Sequence, residues 1–143
     1  MVTWLIVISL FIFSCSNSII QEESAEIKFE NAMQYVKDSK FSRAIDELEY
    51  LLLVDPLSDF ANDAQYYIAE SYYNLNNYSK AIEEFEKYIS RRSLSKELLI
   101  KSQFLLCKCY YNVSLDYNKD QSATYKAIEK LQYFIEKDSM SEY

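Results

Sequence analysis

"FSRAIDELEYLL" (residues 41–52) and "YSKAIEEFEKYI" (residues 78–89) are two versions of one pattern, 37 positions apart. An aromatic residue leads, alanine stands three places later, and apolar residues return four and seven places after the alanine. The sets are Ala44/Leu48/Leu51 and Ala81/Phe85/Tyr88. Residues so spaced share one face of a helix, so each segment reads as an amphipathic helix buried along one stripe. A third copy, "KAIEKLQYFI" from Lys126, supplies Ala127/Leu131/Phe134. The preceding segments align as well: Ala32 with Ala69 and Tyr35 with Tyr72 at the same offset. "SQFLLCKCYYN" from Ser102 matches "AQYYIAESYYN" from Ala64 at an offset of 38. A unit of this length, repeated in register, is the signature of helix-turn-helix pairs stacked as a solenoid.

The recurring columns have a physical logic. A small residue on each first helix (Ala32, Ala69, Cys107) lets the second helix approach closely. An aromatic three residues later (Tyr35, Tyr72, Tyr110) lies on the same face and fills the remaining space. These columns resemble the tetratricopeptide repeat (TPR), and Pro56 stands where that repeat places its terminal proline. Ser93 and Ser139 replace that proline in the later copies. The fold expected is all-α, a TPR-like helix-turn-helix solenoid of three repeats, about six helices, following an N-terminal signal segment. Helices are predicted over 25–38, 41–54, 60–75, 78–91, 96–113 and 122–137, grouped as repeats 25–58, 59–93 and 96–138. Tyr73 to Ala81 takes 8 residues, whereas Tyr111 to Ala127 takes 16, so the third repeat carries an insertion around "VSLDYNKD".

Composition points the same way. The 143 residues are half hydrophobic and 16% aromatic, with 14 tyrosines, one proline and no glycine. About ten glycines would be usual at this length. Their absence disfavours tight positive-φ hairpins and phosphate-cradling loops, and with them P-loop and dinucleotide sites. Histidine is absent too, which removes catalytic triads, imidazole bases and His-ligated metals. A net charge of −7, with no basic run longer than Arg91-Arg92, makes nucleic acid a poor partner.

At the N-terminus, Trp4 to Phe13 is apolar except for Ser9. The run is short for a bilayer span but suits a signal-peptide h-region. Ser14-Cys15 then closes it, and a polar stretch follows. The order of apolar run, small residue and cysteine resembles a bacterial lipobox, in which the cysteine is acylated and becomes the mature N-terminus. An ordinary secretory signal, or a short uncleaved anchor with an incidental cysteine, is the alternative. The expected division is a signal peptide over 1–14, a tether over 15–24 with lipid on Cys15, and the repeat domain over 25–143. Ser16 after the cysteine implies, on that resemblance, sorting to the outer membrane.

No catalytic constellation stands out. Glu47, Glu49, Glu83 and Glu84 are expected on solvated faces of second helices, with no acid, base or metal ligand placed beside them. Cys107 and Cys109 are two apart on one helix, where side chains diverge, so they are badly placed to bridge each other or share a metal. Cys107 fills the small-residue column and reads as structural. Cys109 is open: an exposed lone thiol in an oxidising compartment would be a liability. The expectation is a protein that is not an enzyme and needs no cofactor or metal.

A repeat array offers a concave surface instead. In this register its lining comprises Phe29, Met33 and Val36, then Tyr66, Glu70, Tyr73 and Asn74, then Phe104, Lys108, Tyr111 and Asn112. Tyrosine combines contact area with a polar tip, and Tyr-Asn edges can bond an extended peptide. Simple solvation of the groove is the competing reading.

The stretch "LDYNKDQSATYKAIEKLQYFIEKDSMSEY" (residues 115–143) resembles the corresponding part of BamD, the TPR lipoprotein of the outer-membrane β-barrel assembly machinery, in its Bacteroidetes-like versions. Asp120-Gln121, Thr124, Lys126-Ala127-Ile128, Phe134-Ile135 and Ser141-Glu142-Tyr143 carry the match. The lipobox-like cysteine, the tether and the first two repeats fall in the order of that family. The resemblance implies a lipid-anchored scaffold on the periplasmic side of the outer membrane. Its implied partners are the BamA-like barrel insertase and unfolded outer-membrane proteins. That family continues with further helical pairs beyond the point matching Tyr143. The chain is therefore expected to be incomplete at its C-terminus, leaving a last-helix face around Tyr125, Ile128, Gln132 and Ile135 uncapped. Another periplasmic TPR adaptor, or a fragment of a SusD-type glycan-binding lipoprotein, is the alternative.

Overall fold

A computed structural model describes residues 24–114 and 121–138, the side chains of 123, 134, 135, 137 and 138 excepted. The signal segment with Cys15, the core of the "VSLDYNKD" insertion, the last five residues, and the Phe134 and Ile135 side chains lie outside the described residues.

Among the described residues six helices run in sequence: α1 (Ala25–Lys37), α2 (Phe41–Val54), α3 (Ala61–Asn74), α4 (Tyr78–Ile89), α5 (Lys96–Ser114) and α6 (Ser122–Asp138). They match the expected positions to within two residues at every end. Each packs on the next, and α3 also touches α5, so first helices of neighbouring repeats meet directly. That is a helical solenoid of three hairpins.

Helix starts and stops follow from local chemistry. Ser24 caps α1, its hydroxyl accepting from the Ile27 amide at 3.4 Å. Asn77 caps α4 by accepting from the Lys80 amide at 3.3 Å. At the end of α1, Ser39 adopts φ 57°. Its amide donates to the Val36 carbonyl at 3.0 Å, and Lys40 donates to Tyr35 at 2.8 Å. One repeat later Asn76 adopts φ 58°. Asn76 donates to Tyr73 and Asn77 to Tyr72, both at 2.9 Å. Both are Schellman closures, which usually place glycine at the left-handed position. A chain without glycine fills that position with serine and asparagine, the latter tolerant of the conformation.

The columns form the core. Ala32, Ala44, Leu48, Leu51, Ala69, Ala81, Phe85 and Tyr88 are fully buried, and Cys107, Tyr110 and Ala127 nearly so. One apolar cluster (Ala32, Leu48, Leu51, Ala64, Ile68) joins the first two repeats. A second (Tyr66, Phe85, Tyr88, Leu105, Cys109 and their neighbours) joins the second and third. Tyr67 and Tyr72 pack against both, so the two clusters make one continuous spine. The aromatic column does more than fill space. Tyr72 Oη donates to Glu49 Oε1 at 3.5 Å, and Tyr110 Oη donates to Glu86 Oε1 at 2.7 Å. Each of these tyrosines thus ties its repeat to the second helix of the one before.

Two expectations need correction, the setting of Glu84 and the burial of Leu131. Glu84 is not on a solvated face: it is buried, with its carboxylate accepting from Gln65 Nε2 at 2.7 Å and paired with Lys87 Nζ at 2.6 Å. Gln65 in turn accepts from Arg91 Nη2 at 3.2 Å, so α3 and α4 are fastened by a polar junction inside the hairpin. Cys109, whose setting the sequence left open, is fully buried. Both it and Cys107 are buried free thiols, and burial pushes the Cys109 thiol up to about 12. Among the described residues the last helix does leave apolar side chains in water, with Tyr125 70% and Ile128 47% exposed. Leu131, assigned to the buried stripe, stays 37% exposed, since among the described residues α6 packs mainly on α5.

Candidate functional site

The contact between α3 and α5 brings part of the expected lining together. Glu70 Oε1 accepts from Tyr66 Oη at 2.9 Å and pairs with Lys101 Nζ at 2.9 Å. Further along, the Lys108 ammonium stands 5.2 Å from the Tyr73 ring centre and 5.7 Å from that of Phe104. The Tyr73 hydroxyl beside it holds Lys108 above the usual lysine range. Phe104 and Tyr111 are about half exposed, and Lys108 is exposed. The result is a strip of aromatic faces threaded by two lysines, one neutralised by Glu70.

Asn74 and Asn112 take equivalent places in successive repeats. Each amide donates to the carbonyl one turn back, Asn74 to Glu70 at 2.9 Å and Asn112 to Lys108 at 2.7 Å. One donor of each is thereby committed to its own helix. Tyr73 stacks edge-on with Tyr78 at 5.8 Å, fixing the ring on the turn into α4.

The rest of the expected lining is not assembled there. Tyr66 is fully buried, not a groove residue: its ring sits among Tyr67, Phe85 and Tyr88, covered by α5. Burial, reinforced by the Glu70 charge, drives its hydroxyl far above the ordinary range. Phe29 stacks on Phe60 at 5.1 Å and leans on Tyr67 at 6.1 Å, so it serves the first core cluster, with Met33 packed beside it. Val36 is half-buried near the α1 turn. Lys101 has no cue in the sequence, because its counterpart in the aligned column one repeat earlier is Asp63. A further concavity of about 510 Å³ opens between α4, α5 and α6, walled by Ile89, Leu106, Cys107 and Tyr133 with Glu86 and Lys130 at its polar positions.

Repeating hairpins, an interlocked spine and an exposed aromatic strip define a helical-repeat protein of the TPR-like class. The nearly identical TPR-like repeats of a Podosopora anserina putative kinesin light chain superpose with a TM-score of 0.53 at 16% identity, over 83% of this chain and 57% of that one. A singly substituted form of the same repeats gives 0.53 at 18% identity, over 82% and 57%. At such identities the likeness shows the fold, and this chain spans little more than half of those structures' length. No curated protein matches. A family profile described as outer membrane lipoprotein, YfiO, matches residues 21–143, so the chain belongs to that outer membrane lipoprotein family.

Proposed function

We propose that the chain is a non-catalytic scaffold of the outer-membrane β-barrel assembly machinery, a BamD-like lipoprotein held through acylated Cys15 and facing the periplasm. Its repeat surfaces hold a BamA-like barrel insertase, unfolded outer-membrane proteins, or both. The observation that carries this reading is the family match across the repeat domain, on a fold that sets Tyr73 and Phe104 around Lys108 between two first helices. Phe104, Lys108, Tyr73 and Tyr111 are the residues assigned to partner contact, with Glu70, Asn74 and Asn112 at the edges. Phe29 and Met33 are left with a packing role. Such a strip suits an extended segment: aromatic faces give contact area at low rotamer cost, and lysine over a ring adds cation–π attraction.

Affinity capture of the intact lipoprotein from cell envelopes tests it. Recovery of a large barrel protein with periplasmic repeats, reduced by Phe104→Ala with Tyr111→Ala, is the expected result. Capture of carbohydrate-uptake proteins instead, or of no barrel protein, would overturn the assignment. Mass spectrometry of the mature N-terminus tests Cys15 separately.

A further inference from the structure

We propose that the anchor end of the first hairpin is a membrane-contact surface, resting on a bilayer of zwitterionic phospholipid. The inference rests on the reading of Cys15 as the lipid-bearing residue. Among the described residues of the first repeat, every large hydrophobic side chain left exposed lies at one end: Ile27, Tyr50, Leu53, Val54 and Leu57. Leu53 is 77% and Leu57 92% exposed, far more than packing faults would leave. The opposite end, at the Ser39 turn, exposes the polar Asp38, Lys40, Ser42 and Arg43.

The apolar end is also where the tether enters. α1 begins at Ala25, and Lys28, one turn in, places its ammonium 4.4 Å from the Tyr50 ring centre on α2. Leu53 and Val54 follow within about a turn of Tyr50. Cys15 precedes Ser24 by nine residues. Whatever its conformation, a segment of that length reaches no further than about 30 Å. Acyl chains on Cys15 would therefore hold this end of the hairpin within that distance of the lipid surface. Tyrosine, apolar with a polar tip, is suited to the headgroup layer.

Charge selects the lipid. Glu26, Glu30, Asp55 and Asp59 lie within three residues of Ile27, Val54 or Leu57 and are exposed, whereas Lys28 is buried against Tyr50. A surface so edged is repelled by anionic headgroups and tolerated by zwitterionic ones.

The chain's single tryptophan, Trp4, leaves with the signal segment, which makes an introduced tryptophan a clean reporter. The full lipoprotein carrying Leu57→Trp, and separately Tyr111→Trp, is purified and reconstituted into phosphatidylethanolamine/phosphatidylcholine vesicles with brominated acyl chains. Leu57→Trp is expected to shift to the blue and be quenched, and Tyr111→Trp to remain water-exposed and unquenched. Adding phosphatidylglycerol is expected to weaken the Leu57→Trp quenching, and strengthening would overturn the assigned lipid. If the N-terminus is acylated and the two reporters behave alike, the membrane surface is refuted while the anchor stands. If Cys15 is unmodified, anchor and surface fall together. A blue shift of Leu57→Trp in detergent that grows with protein concentration would assign the patch to a second copy and overturn the proposal.

Discussion

Glu83 and Glu84 are neighbours on α4 with the same side chain and opposite surroundings. Glu83 is exposed and paired with Lys80 at 2.9 Å, while Glu84 is buried against Gln65. Replacing Glu84 with alanine removes the acceptor from the Gln65 amide, which belongs to a residue only 5% exposed. Losing a hydrogen bond to a charged acceptor costs about 1.5–3 kcal/mol, most of it the desolvation of the abandoned partner. The Lys87 pair adds less than about 1 kcal/mol, since the lysine end is largely in water. Glu84→Ala should therefore cost about 2–3 kcal/mol, roughly 10 °C in Tm for a domain of this size. Glu83→Ala should cost less than about 0.5 kcal/mol. The assay is urea denaturation of both variants followed by a double-mutant cycle with Gln65→Ala, where a coupling of about 1–2 kcal/mol is expected. Equal losses at 83 and 84, or no coupling between 84 and 65, would refute the buried junction.

Tyr88 Oη is buried with no hydrogen-bond partner among the described residues, so Tyr88→Phe should leave stability unchanged or raise it by up to about 1 kcal/mol in the same denaturation assay. Ser39 holds a left-handed conformation, so Ser39→Gly should stabilise by about 0.5–1 kcal/mol, and Asn76→Gly by less; a loss of stability would argue against the Schellman closure. Burial raises the Cys109 thiol from 9.0 to about 12, and it raises the Tyr66 and Tyr110 hydroxyls as well. The unfolded chain gives up these protons at lower pH than the folded one, so stability should hold below about pH 9 and decline above it. Native protein should resist thiol reagents at pH 8 and react on unfolding.

The repeats were legible because their signal is internal: 37 positions on, the same small and apolar residues return, and in the first two repeats each lands in the core. Faces within one helix could be read, but the reach of a neighbouring helix could not. Glu84 precedes Phe85 on the wheel and looks peripheral until α3 brings Gln65 against it. Tyr66 lies in line with Glu70 and Tyr73, yet α5 crosses above it and its ring faces Tyr88 and Phe85. Lys101, which neutralises Glu70 from that same crossing, has no repeat-level cue. The Tyr–Glu links between repeats were present as columns, Tyr72 with Tyr110 and Glu49 with Glu86. Spacing alone did not reveal that one column bonds the other.

The scaffold role is tested most directly by a photo-crosslinking residue placed at Tyr111 of the intact lipoprotein and irradiated in living cells. The account predicts covalent adducts with barrel-assembly or unfolded outer-membrane proteins, and far fewer from the same probe at Glu83, on the exposed face of α4. Equal labelling at the two positions, or adducts with neither class of protein, would contradict it.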